Sequence, residues 1–256
     1  MALRCVSTLL EDFGDAVWRA DALAGAASVS GVALPSGHAA LDAQLPGGGW
    51  PVGALCEILQ VQSGLHEWRL LLPTLQALGS VREGQQRVVL VGAPYAPFGP
   101  GVSAQGLDAR ALLWVKADTP PECLWATEQA LRCAGVAALL VWLPNVRADH
   151  LRRLHIAAHE HAKLLWVMRP VAARDESSPA VLRLLVGRQA ADQRAAGEAG
   201  AVSSRDDALP VQILKRRGPP LVQTLTLPAR HAHLNVLLAL NPDLGGAQID
   251  VVLPVA

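Results

Sequence analysis

Short apolar runs alternate with amphipathic stretches along most of the chain. Residues 137–143 (AALLVWL) and 164–168 (LLWVM) are uninterrupted apolar runs. That pattern fits strands buried on both faces of a parallel sheet. Residues 54–59 (ALCEIL), 87–91 (RVVLV) and 112–115 (LLWV) are further apolar runs of strand length. Between them, residues 67–78, 120–134 and 146–162 have helical spacing. In the second of these, Leu124, Leu131 and Ala134 fall near one face, with Thr127 between them. Strands alternating with helices predict an α/β fold, a mostly parallel sheet with helices on both faces.

The alternation stops in the third quarter. Residues 181–186 and 211–215 predict strands with no helix between them, an antiparallel extension at one edge. The intervening GRQAADQRAAGEAGAVSSRDD is small and polar with no apolar period, which predicts a flexible loop. Near the start, residues 11–25 place Phe13, Val17, Ala20 and Leu23 along one face of a short amphipathic helix. Residues 35–53 are dense in turn-formers around a brief helical piece at 39–45. The tail has an apolar run at 234–240 and a candidate strand at 249–253. The organisation expected is an N-terminal helical segment (1–30), an α/β domain (31–228) and a C-terminal tail (229–256). No internal repeat is visible.

Composition narrows the function classes. With 256 residues, 51% apolar and 17% charged, the chain is globular and long enough for a sizeable core. The formal net charge is zero, so nucleic acid is not held by bulk electrostatics and any DNA contact is weak, local or indirect. No apolar run approaches the roughly 20 residues of a membrane span. The opening MALRCVSTLLEDFGD lacks a long apolar core and a small-residue cleavage site. A cytoplasmic protein is expected. Cys5, Cys56, Cys123 and Cys133 form no C-x-x-C pair and are expected as buried or free thiols.

The most informative stretch is SGHAALDAQLPGGGWPVGALCEIL, residues 36–59. A polar turn leads to a short helix, then three glycines, an aromatic–Pro–x–Gly and a strand carrying Glu57. The ordered set Leu41–Asp42, Gly47–Gly49, Pro51, Gly53 and Glu57–Ile58 resembles the entry to the ATPase core of RecA and its relatives. The likeness continues through VVLVGAPYAPF (88–98), Gly106 with LDARALLWV (107–115), AGVAALLVWL and VQILKRRGPP, and covers about residues 33–225. Within that group, SGHAALDAQLPGGGWP, LWATEQALR (124–132) and ILKRRGPP (213–220) resemble the ImuA family, associated with translesion synthesis. The resemblance implies a RecA-like core in a DNA-damage-induced mutagenesis set. The implied partners are ImuB, a Y-family polymerase homologue, and an error-prone C-family DNA polymerase complex. RecA is a further candidate partner.

The chemistry of that core is missing. A working phosphate loop reads G-x-x-x-x-G-K-[ST]: backbone N–H groups wrap the phosphates, the lysine meets their charge and the hydroxyl holds Mg²⁺. The matching stretch is Gln60, Val61, Gln62, Ser63, Gly64, Leu65, His66 and Glu67. Gln60 and Leu65 replace the two glycines, His66 the lysine and Glu67 the hydroxyl. A glutamate aimed at a triphosphate repels it. By the same resemblance the catalytic acid falls at Pro94, the Mg²⁺-associated aspartate near Pro144 and the γ-phosphate-sensing glutamine at Arg169. The two segments matching the mobile DNA-binding loops, 144–148 and 170–179, are short, and the second holds only Arg174 as a cation. No catalytic residue, cofactor or metal is therefore expected, and the chain is expected not to be an enzyme.

Other candidates are weaker. His155 and His159 lie one helical turn apart near His150 and His161, but a solvated face is expected over a metal site. Most tryptophans suit the core, with Trp50 and Trp68 candidates for a surface groove. Lys215, Arg216 and Arg217 form the densest basic run. Strand alternation puts Lys215 and Arg217 on one face, as either an edge guarded by charge or a partner contact. Phe13, Val17 and Leu23 are the other candidate partner surface, with self-association as one use. Two alternatives to the ImuA-type reading stand: a cell-division inhibitor of the SulA type, and a protein with weak residual nucleotide binding.

Overall fold

The computed structural model describes residues 32–64, 66–81, 87–187, 208–221 and 223–228. In chain order its strands are β1 (Ala33–Leu34), β2 (Trp50–Pro51), β3 (Ala54–Gln60), β4 (Arg87–Val91), β5 (Leu112–Val115), β6 (Val136–Trp142), β7 (Leu164–Pro170), β8 (Leu182–Val186), β9 (Ala208–Lys215) and β10 (Thr224–Pro228). Its α-helices are α1 (Ala39–Asp42), α2 (Glu67–Val81), α3 (Gly99–Ala104), α4 (Pro120–Arg132) and α5 (Ala148–Glu160). Single 3₁₀ turns cover Ala109–Ala111 and Val171–Asp175. The N-terminal stripe of Phe13, Val17 and Leu23, the loop at 188–207 and the tail lie outside the described residues.

The apolar runs assemble into one eight-stranded sheet of order β10-β9-β8-β3-β7-β6-β4-β5. From β8 to β5 every pairing is parallel. β9 and β10 join as an antiparallel edge. The expected α/β architecture with an antiparallel extension is therefore what forms. β3 is central and every residue in it is buried. Alternate side chains serve opposite layers. Cys56 and Ile58 pack with Leu70, Leu71 and Leu75 of α2. Leu55 faces the layer of α4 and α5, which supplies Leu131, Leu151, Leu154 and Ala158.

Local chemistry sets the helix bounds. Thr119 accepts from the Glu122 N–H, while Glu122 accepts from the N–H groups of Asp118 and Thr119, and Pro120 sits in the first turn. This capping box fixes the start of α4. The helix ends at Arg132, short of residue 134, because Cys133 is already extended. α5 begins at Ala148 and closes through Ala162, which takes a positive φ of 49°.

Several elements were not foreseen. α3 reads GPGVSA, a turn-like sequence held by one buried anchor, Val102. β10 is an edge strand in which only Leu227 is fully buried, so its alternation is weak. β1 and β2 are two-residue strands paired with each other.

The glycine-rich stretch is packed against α2. Trp50 is no groove residue: it is fully buried, its indole N–H donates to Thr74 Oγ1 (2.9 Å), and its ring meets Trp166 edge-on at 5.6 Å. Ser36 N–H donates to Asp42 Oδ1 (2.8 Å), and the His38 ring nitrogen Nε2 lies 3.2 Å from the Leu70 carbonyl. Gly49 is required here, since a Cβ would stand 2.1 Å from the Leu34 carbonyl oxygen. Among the described residues the exposed tryptophans are Trp114, on the outermost strand β5, and Trp125, on α4. Trp68, on α2, is half-buried against the core beneath that helix.

Histidine 155 also departs from the solvated-face expectation. Its Nδ1 accepts the Leu55 N–H (3.1 Å) near the start of β3. Burial, then the charges of His159, Arg217 and Lys215, lower its pKa. Burial likewise lowers His38 and His66. The unfolded chain then takes up these protons at higher pH than the fold does, so stability rises with pH in that window. The melting temperature is expected to fall as pH drops below about 6.5, the ordinary histidine value. A melting temperature flat from pH 7.5 to 5.5 would count against the lowered pKa of these three histidines.

Candidate functional site

In open α/β sheets ligands gather beyond the carboxyl ends of the strands, where successive connections leave for opposite faces. The chain leaves β3 for α2 on one face and β6 for α5 on the other. β3 ends with Gln60, the chain turns through 61–66, and α2 begins at Glu67. This is the stretch matched to the phosphate loop.

Glu67 lies inside that turn, not in front of it. Its side chain is 1% exposed. Oε1 accepts from Gln60 Nε2 (2.5 Å), the Gly64 N–H (2.7 Å) and the Trp142 indole N–H (3.0 Å). Oε2 accepts from the His66 N–H (3.1 Å). Free N–H groups and the positive end of the dipole at a helix N-terminus favour an anion, and here the anion is the chain's own carboxylate. The expectation that Glu67 points at an incoming phosphate is thereby corrected: the side chain has folded back into the cradle. Sequence gave the wrong charge at this position but not its direction, which depends on Trp142 from another strand.

The surroundings close over it. Gly64 has a φ of 89°, and a Cβ there would come within 2.7 Å of the Tyr95 ring. His66 packs against Gly187, where a Cβ would stand 2.5 Å from Nε2. Desolvation lowers the His66 pKa first and Arg69 adds to it, while Glu67 opposes. Two buried atoms, Gln60 Oε1 and His66 Nδ1, have no hydrogen-bond partner. Leu65 lies outside the described residues. Pro94 approaches the same turn, and its Cγ would be 3.9 Å from a Cβ on Gly64. Pro144 is exposed beyond β6.

Arg169 belongs to a second buried cluster. Glu57 is fully buried; its Oε1 meets Arg169 Nη1 at 3.3 Å and its Oε2 meets Arg183 Nε at 2.5 Å. Arg169 also reaches Glu176 (2.7 Å) and Arg183 donates to the carbonyls of Ala173 (2.7 Å) and Arg174 (3.0 Å). The segment matched to the second DNA loop is therefore a 3₁₀ turn tied to the sheet. Charged letters inside three apolar runs (ALCEIL, LLWVMR, VLRLL) were the available signal.

The basic run sits elsewhere. β9 ends at Lys215, so Arg216 and Arg217 follow the strand and its alternation does not govern them. Lys215 pairs with Arg183 across β8, whereas the opposite end of β8, Val186, pairs with Gln60. The basic turn is thus at the far end of the sheet from the Glu67 cradle. Lys215 Nζ donates to the Ser178 carbonyl (2.9 Å), and Arg216 to the Pro219 carbonyl (3.0 Å) and to Gln44. Arg217 is exposed. Among the described residues no cluster of His, Cys, Asp and Glu is placed to hold a metal, and no helix is long and apolar enough to cross a membrane.

Fold and site together define an α/β protein whose anion cradle holds an internal carboxylate. The chain is similar to Protein ImuA of two Caulobacter vibrioides strains, 29% identical over 154 residues, 57% of this chain and 62% of each relative. It is also similar to the cell division inhibitor SulA of Edwardsiella piscicida, 30% identical over 101 residues, 40% of this chain and 58% of the relative. The matches span about three fifths of these relatives. No family model matches the chain. The two ImuA likenesses support the ImuA-family relationship to which its motifs point.

Proposed function

We propose that the chain is a non-catalytic accessory protein of a DNA-damage-induced translesion synthesis complex in the bacterial cytoplasm. It acts by contacts with ImuB, within an error-prone C-family polymerase complex, and with RecA as a further partner. The core, residues 31–228, is a degenerate RecA-like domain that neither binds nor hydrolyses ATP. The observation that carries this reading is the buried Glu67 carboxylate in the phosphate-loop position. A triphosphate would have to displace a like charge held by four donors. Arg169, at the matched sensor position, is already engaged by Glu57 and Glu176. The likeness to ImuA proteins supports the mutagenesis role.

Calorimetric titration with Mg²⁺-ATP is expected to show no saturable binding up to about 1 mM, a free energy near −4 kcal/mol. A micromolar Kd would overturn the non-enzymatic reading. Pull-down with ImuB is expected to succeed without nucleotide. Comparing Lys215→Glu with Arg217→Glu at low and high salt tests the basic turn as its contact, since rim charges act through salt-sensitive association. The likeness to SulA favours a second reading, a cell-division inhibitor. Binding to the division tubulin homologue but not to ImuB would select it.

A further inference from the structure

β5 closes the parallel side of the sheet, and among the described residues no strand pairs with its outer edge. Such an edge is a template for another strand, and proteins usually guard it with charge, proline or a bulge. The opposite edge, β10, leaves Thr224, Thr226 and Pro228 exposed. β5 has no such guard. Leu112, Leu113, Trp114 and Val115 are all apolar, and their ladder with β4 runs without a bulge. Leu113 is 51% exposed and Trp114 41%. Leu113 pairs with Val89, which belongs to the layer of α4 and α5, and α4 carries the exposed Trp125 on that side of the sheet.

The backbone at this edge selects its partner. The Gly92 N–H donates to the Val115 carbonyl (3.2 Å). In a parallel ladder alternate residues turn both main-chain groups to the neighbour. Leu113 and Val115 therefore face β4, while Leu112, Trp114 and Lys116 present theirs to the open side. An antiparallel copy of the same strand, centred on Trp114, meets all three. Trp114 exchanges both bonds with its twin, and Leu112 does so with Lys116 of the second copy. The same register sets Arg110 opposite Asp118 of the second copy at both ends, and both side chains are exposed. Arg110 pairs with Asp108 of its own chain, an exposed contact that costs little to exchange. Centring on Leu112 instead would draw the 3₁₀ turn Ala109–Ala111 into the pairing and cut it short.

We propose that β5 is a self-association edge: two copies join by antiparallel pairing of residues 112–116 about a two-fold axis at Trp114, which continues the sheet across the dimer. One short strand with Leu113, Trp114 and Trp125 is small beside the ~1,200–2,000 Å² of stable interfaces, so the dimer is weak and reversible. This contact is independent of any partner in a mutagenesis complex.

Sedimentation velocity of the full chain over a concentration series is expected to show reversible monomer–dimer exchange. Trp114→Glu sets two like charges directly opposite each other and should weaken association about tenfold or more. Arg110→Asp should weaken it about two- to fivefold, and adding Asp118→Arg should restore it. Cross-linking reads the register. A hydrogen-bonded antiparallel pair holds its Cα atoms about 5.5 Å apart, within the reach of a disulfide. On mild oxidation with diamide, Trp114→Cys should give covalent dimer well above the level the parent's own cysteines give. Leu113→Cys, which faces Val115 of the second copy, should give far less. A parent that stays monomeric at every concentration, or a dimer indifferent to Trp114→Glu, would overturn the proposal. So would equal cross-linking by the two cysteine variants. A monomeric parent that Trp114→Glu destabilises would mean that a segment of the same chain covers the edge, and the proposal would fall. If Trp114→Glu does not fold, the charge exchange and the cross-linking decide.

Discussion

Replacing Glu57 by alanine is expected to destabilise the protein by about 3–5 kcal/mol, the usual cost of leaving buried charge without its partner. Glu57 is the shared acceptor of two guanidinium groups, and the Arg169 side chain is only 2% exposed. Without it Arg183 keeps two carbonyl partners, but Arg169 keeps only Glu176, more than half exposed, and the Val146 carbonyl at 3.5 Å. Against a total stability of about 5–15 kcal/mol, that loss leaves the sheet centre marginal. The cluster need not be optimal, however. The triple replacement Glu57→Leu, Arg169→Met and Arg183→Leu should recover most of the loss, because an apolar set of similar volume avoids desolvating three charges. Urea denaturation of the single and triple variants measures both. A loss under about 1 kcal/mol for Glu57→Ala would show that water reaches the cluster.

Trp50→Ala is expected to cost about 3–5 kcal/mol, as for other large aromatic truncations in a core. The indole is fully buried, meets Trp166 edge-on and hydrogen-bonds Thr74. The Thr74 hydroxyl in turn lies 3.2 Å from the Pro35 carbonyl and 3.1 Å from that of Ser36. Trp50→Phe keeps most of the ring but removes the N–H, and should cost about 1–2 kcal/mol. Thermal melts of the two variants give the ranking. Equal, small losses would mean that the glycine-rich stretch is not anchored through this side chain. The expected result makes GGGW a structural clasp between β2 and α2.

The parallel strands were legible because burial on both faces leaves long apolar runs, as in AALLVWL. α4 was legible from Thr119, Pro120 and Glu122, whose capping roles are local. What escaped depends on distant neighbours. Glu67 could be read as a charge hostile to phosphate, but its inward turn needs Trp142, 75 positions away. Arg169 could be read as a lost sensor, while its use requires Glu57, 112 positions away. His155 looked like one of several histidines on a wet helix until β3 presented the Leu55 N–H beneath it. α3 and β10 escaped for a different reason: GPGVSA and TLTLP bury too few residues to print a period.

The sheet order carries a consequence for how the chain is made. β3 leaves the ribosome ahead of both its neighbours in the sheet, β7 and β8. Residues 54–60 therefore wait, with both edges open, until residues 164–170 and 182–186 have been synthesised. Pairings of such sequence separation form slowly, and an apolar strand with free edges is a template for aggregation meanwhile. A ribosome stalled anywhere between β4 and β7 would carry the largely apolar β3 without the strands that close its two edges. A strand at the centre of the sheet whose neighbours both follow it by more than a hundred residues is therefore expected to make the nascent chain depend on chaperone holding until β8 has emerged.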